Sequence, residues 1–274
     1  MKKIAILYHY DCPDGFGAAW AAWKKFGKKA DYFAVKHQVP PPPGLKNKDI
    51  YMLDFTYFGG DLKKLIRENT VTTIDHHIGA KKEILSAPRH VFTLNHSGAV
   101  LASRFFHPKK PVPWLLRFIE DRDLWRFKLP GTRAVLTVVD LSEFNFLKWN
   151  KIAADLEKPA LRKKYAREGQ AMLKFEDYVL SKIVQKSDWA EFLGRRALVI
   201  NSSSVLKSEV GNALLKRGAK LAIVWRREAK KIYVSLRSTT IDVSKLAKHY
   251  GGGGHKAAAG FTYDARLKLP WKYL

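Results

Sequence analysis

Apolar residues along the first half of the chain fall into short runs, each closed by polar or small residues. Residues 4–7, 32–35, 50–53 and 71–74 have strand length and are rich in branched and aromatic side chains. Residues 17–25 and 61–67, lying among these runs, carry helix-forming residues. Strand-to-helix alternation of this kind predicts an α/β domain on a mainly parallel sheet. Residues 97–106, with Ser97 as cap, and 113–120 read as further helices, the second bringing Asp121 and Asp123 to its C-terminal end. Four consecutive prolines at 40–43 suit a stiff surface connector.

The second half changes character. Residues 151–187 are rich in Ala, Leu, Lys and Glu, and Met172, Phe175, Val179 and Ile183 align on one helical face. Residues 197–200 and 221–225 read as strands around a helix at 208–217, with Ser208 as its cap and Gly218 as its stop. Ile232, Val234 and Leu236 alternate with polar residues, as a half-buried strand requires. The expected fold is two-domain α/β: a parallel-sheet domain over 1–150 and a helical connector over 151–189. A smaller mixed α/β domain over 190–264 and a basic tail over 265–274 complete it.

Charge narrows the partners. Of 274 residues, 50 are Lys or Arg and 25 are Asp or Glu, a formal net charge of +25 that favours polyanions. Cys12 is the only cysteine, so no internal disulfide framework exists. The basic start at Met1, Lys2 and Lys3 precedes an apolar run too short for a signal peptide, and no run approaches the roughly 18 apolar residues of a membrane span. These features predict a cytoplasmic protein without a membrane partner; a homodimer is an open expectation.

The candidate chemistry gathers at strand ends. His9, Asp11 and Asp14 follow the first strand, Asp54 follows another, and Asp75-His76-His77 closes a third; Asp123 ends a helix. Any one of these has an ordinary role in a turn or a surface hydrogen bond. Recurring where open α/β folds place their ligands, they point to a metal centre. Carboxylates bridge and neutralise hard divalent ions, and imidazole adds a ligand without adding charge. Oxygen-rich donors suit two divalent ions, Mn²⁺ or Mg²⁺, with Mn²⁺ favoured by the histidines. Far downstream, Gly251, Gly252, Gly253 and Gly254 precede His255. Such a run either makes a flexible turn or offers backbone N–H groups to an anion. Arg237 and Ser238 end the preceding strand and are placed to face the same ligand. His96 is a secondary phosphate-binding candidate, Trp125 either flanks the site or packs in the core, and Trp225 reads as buried.

Taken in order, these motifs resemble the DHH/DHHA1 phosphoesterase family over residues 4–264, particularly its small stand-alone oligoribonucleases that degrade very short RNA (nanoRNases). The segment from His9 to Gly15 resembles the first metal motif, Asp54 the second, Asp75-His76-His77 the third and Asp121-Arg122-Asp123 the fourth. Gly251–His255 with the following Lys256-Ala257-Ala258-Ala259-Gly260 resembles the signature of the substrate-binding domain. The resemblance implies metal ligation by His9, Asp14, Asp54, His76 and Asp123, with Asp54 bridging. It implies that Asp75 orients His76, and that His77 touches a phosphoryl oxygen or protonates the departing one. Asp54, His76, His77 and Asp123 are then the catalytic set, with His96, Arg237, Gly252, Gly253, Gly254 and His255 as substrate-binding candidates. Related sites place a further carboxylate two positions after Asp14, where this chain has Phe16; either Asp11 substitutes for it or one metal has fewer protein ligands. The implied reaction is hydrolysis of short oligoribonucleotides to nucleoside monophosphates by metal-activated water. Cyclic dinucleotides, 3′-phosphoadenosine 5′-phosphate, single-stranded DNA and pyrophosphate are alternative substrates, and a noncatalytic nucleic-acid-binding role is the alternative class.

Overall fold

The computed structural model describes residues 2–36 and 39–274; Met1, at the head of the basic N-terminal stretch, lies outside them. The chain divides into two compact units, Met1–Leu173 and Lys174–Leu274.

Unit 1 begins with β1 (Ile4–His9), whose residues Ala5, Ile6 and Leu7 are fully buried, as a strand covered on both faces requires. Then follow α1 (Pro13–Phe26), β2 (Ala30–Val35), β3 (Asp49–Leu53), α2 (Gly59–Glu68), β4 (Thr70–Asp75), α3 (Lys81–Ser86) and β5 (Arg89–Phe92). The five strands are all parallel, in the order β2-β1-β3-β4-β5. This doubly wound order reverses direction between β1 and β3, so a ligand crevice is expected at the carboxyl ends of those strands.

Period-two alternation sends neighbouring strand residues to opposite layers. Ile6, Leu53 and Ile74 join a core with Phe16, Trp20 and Leu116, while Leu7, Ile50 and Met52 join another with Leu62 and Leu65. The first layer contains α1, α4 (Gly98–Phe106), α5 (Trp114–Asp123), α6 (Thr132–Val139) and α7 (Phe146–Glu157). A Cβ at Gly17 would stand 2.9 Å from the Ala99 methyl, so this glycine lets α1 and α4 approach closely. Trp149 of α7 meets Phe16 edge-on at 4.8 Å, placing α7 in unit 1 although it extends into the expected 151–189 connector.

The division between units falls within α8 (Pro159–Val184). On α8 the buried apolar positions include Leu173, Leu180 and Val184, whereas Phe175 is 69% exposed. Of the expected Met172–Phe175–Val179–Ile183 line, Met172, Val179 and Ile183 are half-buried beside these positions and only Phe175 turns to solvent.

Unit 2 continues with β6 (Asp188–Phe192), β7 (Arg195–Asn201), α9 (Lys207–Lys216), β8 (Ala222–Glu228), β9 (Lys231–Arg237), α10 (Val243–Lys248), β10 (Gly253–Gly254), β11 (Ala258–Asp264) and β12 (Lys272–Tyr273). Its seven-stranded sheet runs β10-β11-β9-β8-β7-β6-β12 and is mixed, with β7 and β8 parallel and the other pairs antiparallel. The architecture is thus a parallel-sheet domain and a mixed-sheet domain. One local expectation is corrected. Ser208 does not cap α9; its hydroxyl accepts from Arg237 at 3.0 Å. The basic tail is part of the fold, since Trp271 is buried and Lys272–Tyr273 pairs with β6. Among the described residues no helix is long and apolar enough to cross a membrane.

Candidate functional site

The carboxyl ends of β1, β3 and β4 carry His9, Asp54 and Asp75 with its two following histidines. After β1 the chain makes a tight turn into α1, because a Cβ at Gly15 would collide with the His9 carbonyl oxygen. That turn buries Asp14, whose carboxylate accepts the Gly98 N–H at 2.6 Å and the Ala99 N–H at 3.0 Å. Asp14 therefore meets the N-terminus of α4, where a negative charge is stabilised. Gly98 is required there: its Cβ would approach that of Asp54 to 2.5 Å.

Asp54 takes a left-handed backbone conformation, φ +53°, and is 2% exposed. Its Oδ1 lies 3.2 Å from His76 Nε2 and 3.7 Å from His77 Nδ1, and its Oδ2 lies 3.5 Å from His9 Nδ1. His76 Nε2 is also 3.7 Å from Asp14 and 3.5 Å from Asp123, which arrives from the end of α5. Burial, with Asp54 and Asp123 nearby, pushes the Asp14 carboxyl well above its ordinary range. Burial also raises Asp123. At Asp54 burial acts in the same sense, but the His76 and His9 rings outweigh it and hold the carboxyl low. Burial opposes a charged His76, yet Asp54 and Asp14 raise its pKa.

Asp75 supports the histidines from beneath. Its Oδ1 accepts the backbone N–H groups of His76 at 2.7 Å and His77 at 3.1 Å, and lies 2.7 Å from His77 Nδ1. Its Oδ2 accepts from the buried Thr56 hydroxyl at 2.8 Å, a support the sequence did not reveal. The ring Asp75 orients is that of His77; His76 is held through its backbone. Burial alone would lower the His77 pKa, but Asp75 and Asp54 bring it to about 9.

These side chains form three overlapping groups able to hold a cation: Asp14–His76–Asp123, Asp54–His76–His77 and His9–Cys12–Asp54. Within each, one donor atom per residue lies within 4.8 Å of the others. The donor set fits divalent ions, and the unsatisfied atoms agree. Asp54 Oδ1 and His76 Nε2 are buried, face each other, and have no hydrogen-bond partner among the described residues. Buried polar atoms without partners are costly, and an ion between them removes that cost.

Asp11 is exposed on the β1–α1 turn at φ +52° and belongs to none of the three groups; Cys12, unmarked by the sequence reading, belongs to one. Burial and the Asp54 charge push the Cys12 thiol up to about 12. Phe16, where a carboxylate was expected, is a core residue stacked on Phe144 and Phe146. Asp121 is buried and accepts the backbone N–H groups of Lys128 and Leu129, ordering the loop after α5. Arg122 forks onto Asp140. The His96 ring is held by Glu120 at 2.9 Å and neighbours Arg104 at 2.8 Å. Trp125 is 68% exposed and so is not a core residue.

In unit 2, Gly251 is at φ +72° and Gly254 at φ +139°. The N–H groups of Gly251 and Gly252 donate to Lys248 and Ala247, ending α10, and that of His255 donates to Ala258. Those three donors are engaged within the fold, which removes them from the expected anion-gripping backbone. A Cβ at Gly252 would collide with the Gly260 carbonyl oxygen, so close strand approach also demands glycine there. His255 is exposed, and Arg237 pairs across the sheet with Ala258, at the same end of the sheet. Burial lowers the Arg237 pKa. A cavity of about 350 Å³ elsewhere in unit 2, bordered by Ile183, Asn201, Trp225 and Tyr273, contains none of these residues.

Residues 200–270 match the DHHA1 domain family. A protein of Acanthamoeba polyphaga mimivirus, described as uncharacterized protein R106, is 32% identical over 286 residues, spanning 94% of this chain and 67% of that protein. Among solved structures, a DHH domain from a protein described as a member of a family of ribosomal proteins superposes with a TM-score of 0.63. It is 13% identical and covers 100% of this chain and 83% of its own. Mn²⁺-bound RecJ from Thermus thermophilus gives 0.55 at 18% identity, covering 97% and 50%. The pGpG-specific phosphodiesterase PggH from Vibrio cholerae gives 0.52 at 14% identity, covering 97% and 94%. These structural likenesses establish a shared fold.

Proposed function

We propose that this chain, which belongs to one family with the mimivirus protein and matches the DHHA1 domain over 200–270, is a DHH/DHHA1 phosphoesterase that hydrolyses short oligoribonucleotides to nucleoside monophosphates. The observation that carries the reaction class is the convergence of Asp14, Asp54, Asp123 and His76 at the β1–β3 reversal, with Asp54 Oδ1 and His76 Nε2 lacking hydrogen-bond partners among the described residues. His9, Asp14, Asp54, His76 and Asp123 hold two divalent ions in this reading, Mn²⁺ before Mg²⁺, with Asp54 shared. Such ions polarise a phosphoryl oxygen and lower the pKa of a water nucleophile.

The protein's own groups supply the rest. Asp14 is fixed by two α4 N–H groups, so its carboxylate keeps its place as charge develops. Asp75 fixes His77 through Nδ1, leaving Nε2 of a side chain that is 38% exposed for the substrate. The Asp75 carboxylate on Nδ1 favours the protonated ring, the form that donates to the departing oxygen. His255 and Arg237 bind a substrate phosphate on unit 2. The net charge of +25 draws anionic substrates without selecting sequence. The short substrate is favoured by the fold shared with an enzyme described as specific for the dinucleotide pGpG.

Release of mononucleotides from labelled RNA and DNA dinucleotides, with Mn²⁺, Mg²⁺ or chelator, tests this. Cyclic dinucleotides, 3′-phosphoadenosine 5′-phosphate and pyrophosphate complete the panel. The expected result is metal-dependent cleavage that is strongest on RNA dinucleotides and abolished by chelator. Preference for another phosphodiester reassigns the substrate, and no hydrolysis by folded, metal-loaded protein overturns the enzymatic reading.

A further inference from the structure

We infer that Cys12 is a sulfur ligand of the metal centre, taking the coordination place that Phe16 leaves without a carboxylate. The inference rests on reading this site as a metal centre. Cys12 precedes α1 at the mouth of the strand-end crevice, and its Sγ, a His9 ring nitrogen and an Asp54 carboxylate oxygen all lie within 4.8 Å of one another. Asp54, 2% exposed, reaches both sides of the centre: its Oδ2 lies 3.5 Å from His9 Nδ1, the imidazole grouped with Cys12, while its Oδ1, toward His76, has no hydrogen-bond partner among the described residues.

The two alternatives along the chain are closed by geometry. Phe16 points into the aromatic core against Phe144, Phe146 and Trp149, so its position cannot present an oxygen without dismantling that stack. Asp11 is exposed and outside every donor group found among the described residues. Cys12 is half-buried, and a cysteine withdrawn from solvent ordinarily behaves as a small apolar side chain. Here its close neighbours are an imidazole and a carboxylate, a mixed N, O and S donor set. One thiolate softens an otherwise oxygen-rich site and shifts its preference toward Co²⁺ and Zn²⁺ over Mg²⁺. On coordination the thiol proton leaves to solvent as the sulfur–metal bond forms.

Because Cys12 is the only cysteine of the chain, its coordination has an unambiguous spectroscopic signature. Co²⁺ is titrated anaerobically into the full, reduced chain without added thiol, and absorption is followed from the near ultraviolet through the visible. The expected spectrum contains visible d–d bands together with a thiolate-to-cobalt charge-transfer band in the near ultraviolet. In Cys12→Ser the d–d bands remain and the charge-transfer band is lost. Wild-type d–d bands without charge transfer overturn the sulfur ligand while leaving the metal centre standing. Absence of d–d bands in the wild type overturns both. The wild-type spectrum decides the question even where the variant folds poorly.

Discussion

Asp54 shows how backbone and chemistry are joined at one residue. Its φ of +53° is uncommon for a residue with a side chain, and Asn tolerates that region nearly as well as Asp. Asp54→Asn therefore removes the shared charge and keeps the turn. Turnover is expected to fall by more than the roughly 10–100-fold that follows loss of an outer metal partner, with an unchanged circular-dichroism spectrum. Wild-type turnover under controlled metal would remove Asp54 from the centre of the mechanism. Gly98→Ala approaches the same atom from the other side, since its new Cβ lies 2.5 Å from that of Asp54. Metal affinity measured by calorimetry should fall although no ligand has been changed. Asp54, His76 and Asp123 were legible because acids and histidines at successive strand ends need a common purpose. Cys12 was not, because neither its residue type nor its spacing marks which atom of a tight turn faces inward. Asp11, one residue earlier, carries the charge yet points to solvent.

Strands β1 and β3 announced themselves as apolar runs because they lie inside the sheet with both faces covered, whereas β2, at the edge, is only half-buried. The two-residue strands β10 and β12 are shorter than any periodicity can register. The glycine run shows the same limit: its composition suggested donors for an anion, but pairing with β11 and the end of α10 engages several of them. Packing and binding roles separate by mutation. Gly254→Ala, at φ +139° and with the Ala258 carbonyl oxygen 2.6 Å from the new Cβ, should lower the midpoint of thermal unfolding. His255→Ala, at an exposed side chain, should leave that midpoint unchanged and raise KM for a dinucleotide. An unchanged KM removes His255 from substrate binding. In unit 1, Asn145 caps α7 by accepting the Leu147 and Lys148 N–H groups at 3.0 and 3.1 Å. Asn145→Ala should cost about 1 kcal/mol in denaturant unfolding, without loss of metal binding. That cap matters because α7 carries Phe146 and Trp149 onto Phe16, the packing that replaces a carboxylate with a ring.

At the scale of the molecule, two sheets were legible as two kinds of pattern, near-continuous apolar runs in unit 1 and alternation in β9 of unit 2. The division at Leu173 was not, because α7 and α8 share the helical composition of a connector while α7 contributes to the unit 1 core. The net charge of +25 is likewise legible but says nothing about substrate length. Salt dependence does. Each phosphate neutralised on a single strand contributes a slope of roughly −0.7 to the logarithm of affinity against the logarithm of salt. A substrate presenting one or two phosphates then gives a slope of about −0.7 to −1.4, whereas a strand tracked over six gives about −4. For a short-oligoribonucleotide hydrolase, kcat/KM on an RNA dinucleotide should follow the shallow slope and exceed that on a long strand at physiological salt. The distributed positive charge then accelerates encounter without lengthening the binding site. A steep slope with preference for the long strand would assign the same metal chemistry to exonucleolytic degradation of single-stranded nucleic acid.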